Sequence, residues 1–435
     1  MTALPEAFTE RMSRQLGNGL PDFLRAMEEE PVRGIRMNPW KPFDGAEVFM
    51  AAERIPWAED GYYLPGDSKA GATIFHEAGA FYLQEPAAML PAAVLNPQPG
   101  EMILDLCASP GGKSTQIGLR MAGEGLLISN EPMPKRAAIL SRNMERMGIP
   151  NSVVISAWPE QIPHSWDELF DGVVADVPCS GEGMFRREPE TRDEWSPEKA
   201  AGCAKRQAEI LEEAARLVRG GGRLVYSTCT YNPEENERNV IRFLEKHPEF
   251  EPESFSLPGA EGPDGMLLCL PHRMKGEGQF AALLRKKGSG GERKLQMPFA
   301  PAEKGETKLL QETVPGIYEP NRKIGNTLIR IPPCPELKGI RVLRAGLQIA
   351  EIRGKNMIPD HAAALAFKEC GAQCADADAS DAQKYIAGGE FPGDTRGWVL
   401  LKYRGIAVGW GKGSGGTIKN HYPKGLRKDR ILVNP

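Results

Sequence analysis

A chain of 435 residues is too long for one ordinary hydrophobic core, so two to four domains are expected. Apolar content of 41% and charged content of 26% are those of a globular protein, and no apolar run approaches the roughly 18 residues needed to cross a bilayer. A net charge of −4 excludes a uniformly basic nucleic-acid binder but leaves room for basic clusters.

The chain starts MTALPEAFTERMSRQLG, charged from the outset and without the apolar stretch of a signal peptide, so a cytoplasmic location is expected. Helices are predicted over residues 5–16 and 20–30, the second with Phe23, Leu24 and Met27 on one face. Residues 33–39 read as a strand stopped by proline, with Arg33 and Arg36 as candidate phosphate contacts.

From Glu101 the pattern becomes regular. Strands are predicted at 101–107, 126–131, 152–156, 170–178 and 223–230, and helices at 112–121, 134–148 and 197–219. Ser196 and Pro197 start the longest helix, and Asn232-Pro233-Glu234-Glu235 reads as a capping box opening another. Such alternation predicts an α/β fold, a mostly parallel sheet covered by helices on both faces, with the active residues beyond the carboxyl ends of the strands. Beyond the basic stretch RKKGSGGERK, read as a linker, strands dominate, with a short helix at 360–368 and two strands across a turn within 397–413.

Five features converge on one predicted crevice: the turn Cys107-Ala108-Ser109-Pro110-Gly111-Gly112-Lys113, Glu131, Asp176, Cys179 and Cys229. The turn lacks the G-x-G-x-x-G of a dinucleotide site, and Cys107 stands where a P-loop needs its first glycine. S-adenosylmethionine remains as a nucleotide-like ligand for it. Glu131, ~20 residues on at a strand end, is placed to accept from ribose hydroxyls. The eight cysteines contain no CxxC pair, so neither a zinc site nor a redox motif is indicated, and no metal is expected. The pair Cys370 and Cys374 and the helical Cys203 read as packing or surface thiols.

LDLCASPGGKST, DVPCSGEGMF and YSTCTYNPEENE, in this order, resemble the RNA 5-methylcytosine methyltransferases of the Nol/Nop/Sun family. The tail GWGKGSGGTIKNHYPKGLR, with RVLRAGLQIAEI, is similar to a narrower bacterial group, the small-subunit ribosomal RNA methyltransferase F group. The resemblance implies a Rossmann-like methyltransferase core with a small α+β N-terminal domain and β-rich, PUA-like C-terminal domains. It places an RNA-binding domain at 1–90, the methyltransferase domain at 91–287, a linker at 288–308, a first C-terminal domain at 309–370 and a PUA-like RNA-binding domain at 371–435. It implies S-adenosylmethionine as cofactor, held by Cys107 to Lys113, Glu131 and Asp176, with Asp176 also beside the target base. It assigns Cys229 as nucleophile and Cys179 to product release. The implied partner is small-subunit ribosomal RNA, free or in the 30S subunit, and the protein is expected to act as a monomer without a membrane. The chain departs from the family in having SAWPE after the third strand, where relatives carry an acidic residue near the adenine; Trp158 is an alternative packing partner.

The reaction explains why two thiols are useful. Cytosine C5 becomes nucleophilic only after a thiolate adds at C6, and the thiolate must later leave. A carboxyl at N3, here Asp176, eases the addition. Chemistry alone allows either cysteine to attack, and Lys113 and Arg186 are candidate cations to favour the thiolate. The target base must be unpaired or flipped. Around the crevice, Phe185 is a candidate to stack on a base, and Arg186, Arg187, His272, Arg273 and Lys275 to meet phosphate. Lys419, His421, Tyr422 and Lys424 in the basic tail combine cations with aromatic rings. The alternatives are the same chemistry on transfer RNA, a non-catalytic ribosome-assembly factor, and a nucleotide-dependent oxidoreductase or ATPase.

Overall fold

The computed structural model describes residues 3–41, 43–44, 49, 53–366 and 371–432. Its centre is a nine-stranded sheet built from β1 (Met102–Asp105), β2 (Leu126–Asn130), β3 (Ser152–Ser156), β4 (Phe170–Asp176), β5 (Val218–Thr228), β6 (Phe250–Pro252), β7 (Met266–Cys269), β8 (Gln279–Lys286) and β9 (Arg341–Ala345). The order is β7-β8-β5-β4-β1-β2-β3-β9, with β6 beside β8. Strands β3, β2, β1, β4 and β5 are parallel, as their continuous apolar runs predict. From β1 the chain winds outward to β2 and β3, then returns to β4 on the other side. The crevice of such a sheet lies where this reversal occurs, beyond the ends of β1 and β4.

The intervening helices are α1 (Gly112–Arg120), α2 (Pro134–Met147), α3 (Pro197–Leu217) and α4 (Glu237–Lys246). Helix α3 starts as its sequence dictates: the Ser196 side chain accepts the Lys199 N–H, and Pro197 fills the first turn. Helix α2 ends at Gly148, whose left-handed backbone lets the chain turn toward β3. Two apolar layers cover the sheet. Leu104, Ile128, Trp166, Val173 and Leu224 belong to one; Leu90, Ile103, Ile117, Leu140 and Val225 belong to the other.

The expected helix opening at Asn232 is corrected. Residues 233–236 form a turn, and α4 begins at Glu237. A capping box needs the Glu235 carboxylate to reach back to the Asn232 N–H, but it is engaged elsewhere by Ser180 and Gln207. The stretch RKKGSGGERK is held against the core rather than free: Arg285 pairs with Glu253, Arg293 with Asp171, and Lys286 donates to the Val218 carbonyl at 2.9 Å.

At the N-terminus, helices Glu6–Leu16 and Leu20–Glu28 bury Phe8, Met12, Phe23 and Met27 against Phe185, Tyr231 and Leu270 of the core unit. A three-stranded antiparallel sheet, Arg33–Met37 between Gly61–Leu64 and Phe81–Leu83, follows. Its Ile35 and Phe81, with Ile74 and Phe75 of the short helix Ile74–Glu77, share a core with Val399, Tyr403 and Ile418 of the C-terminal five-stranded sheet and Tyr385 of the helix Ala379–Ala387. A second five-stranded sheet holds Thr327–Arg330, Leu347–Arg353 and Asn356–Pro359. Strand β9 lies just before this last group, yet it pairs antiparallel with β3 and so extends the central sheet. The helix expected over 360–368 spans His361–Leu365; Lys368 and Cys370 lie outside the described residues. No described helix is long and apolar enough to cross a membrane.

Candidate active site

Adjacent parallel strands set the site. Asp176 ends β4 opposite Ser227 of β5, so the turns after these strands leave the sheet side by side. Cys179 lies on one turn and Cys229 on the other. Their Sγ atoms are 3.1 Å apart, and the Cys229 N–H donates to Cys179 Sγ at 3.3 Å. Contact with Cys229, then burial, pushes the Cys179 thiol well above its ordinary pKa, so Cys179 holds its proton at neutral pH.

Asp176 is the acceptor at the centre. Lys113 donates to Oδ2 at 2.7 Å, and Ser227 and Gln279 donate to Oδ1 at 2.7 and 3.4 Å. Burial works to lower the Lys113 pKa, but the Asp176 charge outweighs it and holds the ammonium above its usual value. Lys113 therefore stands as a fixed cation in the first turn of α1.

The turn before α1 depends on Gly111, which has φ +114°; a Cβ there would meet Leu140 Cδ1 at 3.2 Å. Beneath it, buried Asp105 accepts from Ser114 Oγ at 2.6 Å through Oδ2, while Oδ1 has no hydrogen-bond partner. Burial raises its pKa to about 7. Glu131, at the end of β2, accepts the Met133 N–H at 2.9 Å and faces Arg136 at 3.3 Å.

A cavity of about 630 Å³ joins these groups, with Glu131, Arg136, Trp158, Asp176, Cys179 and Cys229 in its wall. A smaller one of about 200 Å³ adjoins it at Asp176 and contains Asp105, Lys113 and Gln84. The larger volume lies in the range of sites for nucleotide-sized ligands. The carboxylates of the two cavities, and above all the unpartnered Asp105 Oδ1 of the smaller one, suit a ligand with ribose hydroxyls and cationic groups. The residues present thus fit S-adenosylmethionine. Trp158 is 46% exposed at the cavity wall, next to Pro159 and Glu160. Among the described residues no group of three His, Cys, Asp or Glu side chains is arranged to hold a metal.

Several expected RNA contacts are corrected by burial. Phe185 is fully buried and packs edge-on to Phe8 at 5.1 Å, so no base can stack on it. Arg186 is buried and satisfied by Glu277 at 2.9 Å and by the Ala26 and Gly276 carbonyls, leaving no donor for phosphate and no charge for a thiol. Tyr422 is 3% exposed and packs against His361 and Tyr385. Arg36 is buried and donates to Gln84, Thr115 and the Gly112 carbonyl, so it braces the glycine turn instead of a phosphate. Arg187, Arg273, Lys275, Lys419, His421 and Lys424 are exposed, and His272 is half-buried.

Two residues with clear roles in the geometry are not among the sequence's candidate site residues, Glu235 being read only as a helix cap. Asp105 is the only acid in LDLCASPGGKS, a signal that was available. Glu235 is fully buried; its carboxylate accepts from Ser180 N at 2.8 Å, Ser180 Oγ at 2.5 Å and Gln207 Nε2 at 2.9 Å. Ser180 Oγ in turn lies 2.8 Å from Thr230 Oγ1. One carboxylate thus clamps the residue after Cys179 to the residue after Cys229.

Comparison with known proteins agrees with this geometry. A family model described as 16S rRNA methyltransferase RsmB/F matches residues 92–285, the N-terminal domain of 16S rRNA methyltransferase RsmF matches 4–86, and the methyltransferase RsmF PUA domain matches 372–428. Ribosomal RNA small subunit methyltransferase F of Escherichia coli (strain K12) is 31% identical, across 98% of this chain and 97% of its own length. The protein of the same name from Aliivibrio fischeri (strain ATCC 700601 / ES114) is 30% identical across 99% and 98%. Among solved structures, a methyltransferase homolog protein from Pyrococcus horikoshii is 27% identical with a TM-score of 0.57, covering 65% of this chain and 95% of its own.

Proposed function

Because the chain belongs to the 16S rRNA methyltransferase RsmB/F family, we propose that it methylates C5 of a cytosine in 16S ribosomal RNA through a covalent cysteine adduct. The methyl donor is S-adenosylmethionine, whose sulfonium supplies an electrophilic methyl group. The observation that carries the reading is the 3.1 Å contact of Cys179 and Cys229 beside the Asp176–Lys113 pair at one cavity.

Cys229 Sγ, as thiolate, adds to C6 of the unpaired base and opens the C5–C6 double bond. As charge collects at N3, Asp176 in its protonated form gives its proton to N3, and Lys113 stabilises the carboxylate left behind. C5 then takes the methyl group as the S–CH3 bond breaks, its electron pair staying on the donor's sulfur. A base removes the C5 proton, the Sγ–C6 bond breaks, and the double bond re-forms with Cys229 released as thiolate. Cys179 keeps its proton and donates a hydrogen bond to Cys229 Sγ, which stabilises the departing thiolate. Glu131 holds ribose hydroxyls, Asp105 the ligand's ammonium, and the 107–113 turn the amino-acid end. The N-terminal and PUA-like units and the rim of the catalytic unit hold the folded RNA, with Arg187, His272 and Arg273 on the rim and Lys419 and Lys424 in the PUA-like unit as contacts. A ribosomal substrate places the reaction in the cytoplasm.

The test is tritiated methyl transfer from S-adenosylmethionine to undermethylated 16S rRNA, 30S subunits and transfer RNA, followed by nucleoside analysis. Label should enter 16S rRNA or 30S subunits as 5-methylcytosine. Label confined to transfer RNA would replace the substrate, and label on any other nucleoside would overturn the cysteine mechanism.

A further inference from the structure

Away from the cysteines, a cavity of about 230 Å³ opens where four parts of the chain meet: the short helix at His76 and Glu77, the solvent face of α2, the helix His361–Leu365, and the segment from Tyr422 to Lys428. Helix α2 connects it to the active site. Arg136 lines the catalytic cavity, and Ile139 and Arg142 line this one. At 1.5 Å of rise per residue, Arg136 and Arg142 are about 9 Å apart along the helix. Asn143 donates to the Pro110 carbonyl at 2.8 Å, so this wall is fixed to the glycine turn.

The lining combines three chemistries. Arg142 is exposed and has no carboxylate partner among the described residues; Lys135, seven residues earlier, lies on the same face, and Arg136 at the catalytic cavity pairs with Glu131. Ile139 is 49% exposed between these cations, and Leu365 and Leu426 continue its apolar wall. Glu77 and Glu145 supply carboxylate acceptors, held in place by Lys428 and Arg344. A free anion would leave the apolar wall unused, and an apolar peptide would bury unpaired charges. A nucleotide uses all three: phosphate on the cation, base face on the apolar wall, amino group on a carboxylate.

We propose that this cavity binds a nucleotide flanking the methylated one in the RNA, with its phosphate on Arg142 and its base against Ile139. The inference rests on the RNA-methyltransferase reading and adds a second anchor point, which fixes the strand's direction across α2. An unpaired strand that enters the catalytic cavity past Arg136 reaches Arg142 within one or two nucleotides. Both side chains are solvent-exposed, so their replacement leaves the core intact.

The experiment uses the full chain with 4-thiouridine-substituted 16S rRNA. Photo-crosslinked peptides should come from α2 or residues 421–428. Arg142→Ala should weaken filter-binding affinity for the RNA several-fold and lower the slope of log affinity against log salt by about one. Ile139→Ser should weaken binding with an unchanged slope. In both variants KM for RNA should rise while kcat and S-adenosylmethionine affinity stay unchanged. Unchanged RNA affinity in both, or a fall in kcat at fixed KM, would overturn the proposal. Binding and crosslinking are read without turnover: RNA methylated at another nucleoside would refute the C5 reading and leave this site standing, whereas wild-type protein that binds no RNA would remove both.

Discussion

The Sγ atoms of Cys179 and Cys229 lie 3.1 Å apart although fifty residues separate them in the chain, and the Cys229 N–H points at Cys179 Sγ. Contact with Cys229 and burial raise the Cys179 pKa; in the proposed mechanism Cys179 is the proton holder and Cys229 attacks.

Removal of either thiol should therefore give different products. Cys229→Ala should be inactive and form no adduct. Cys179→Ala should attack but release slowly, accumulating a protein–RNA band that survives denaturing electrophoresis in the presence of S-adenosylmethionine. The reverse pattern would exchange the roles.

Glu235 should matter without touching substrate. Glu235→Gln removes the charge and one of the two acceptor oxygens that Ser180 and Gln207 share, and a buried hydrogen bond to a charged group contributes ~1.5–3 kcal/mol, so kcat should fall about ten-fold or more. S-adenosylmethionine affinity, measured by calorimetry, should not change. Ser180→Ala, which keeps the backbone bond to Glu235, should lose less.

Asp105 predicts a pH dependence. Its folded pKa of about 7 lies above the ordinary carboxyl value of 3.8, so the folded state binds the extra proton between those values. Its contribution to stability is complete below about pH 4 and is lost as pH rises through 7. Cofactor binding has the opposite sign, because only the carboxylate attracts an ammonium. Calorimetric affinity for S-adenosylmethionine should tighten from pH 6 to pH 7.5, and Asp105→Asn should flatten that dependence.

The buried Arg186–Glu277 pair should be structural. Glu277→Gln leaves a buried guanidinium without its counter-charge, a loss of ~3–5 kcal/mol, and thermal unfolding should fall accordingly. Because Arg186 also holds the Ala26 carbonyl and Glu277 accepts the Val32 N–H, the N-terminal helices should become protease-sensitive first. Arg187→Ala, an exposed neighbour, should leave stability unchanged.

The sequence by itself determined what short-range pattern carries. Apolar runs between helical periods specify the parallel strands, Gly111 and Gly112 specify the turn, and strand ends place Asp176, Cys179 and Cys229 in one crevice, because residues at such ends share a side of the sheet. It could not decide which of the surrounding side chains face RNA. Phe185 and Arg186 directly follow the Cys179 turn, yet the N-terminal helices cover them, and their cover lies more than 150 residues away in sequence. Glu235 shows the same limit: its local pattern satisfies a capping box, but Ser180 and Gln207 compete for the same carboxylate and win because they are buried with it. Tertiary structure decided these cases since burial removes water as the alternative partner, and each polar group then takes whichever partner the packing brings closest.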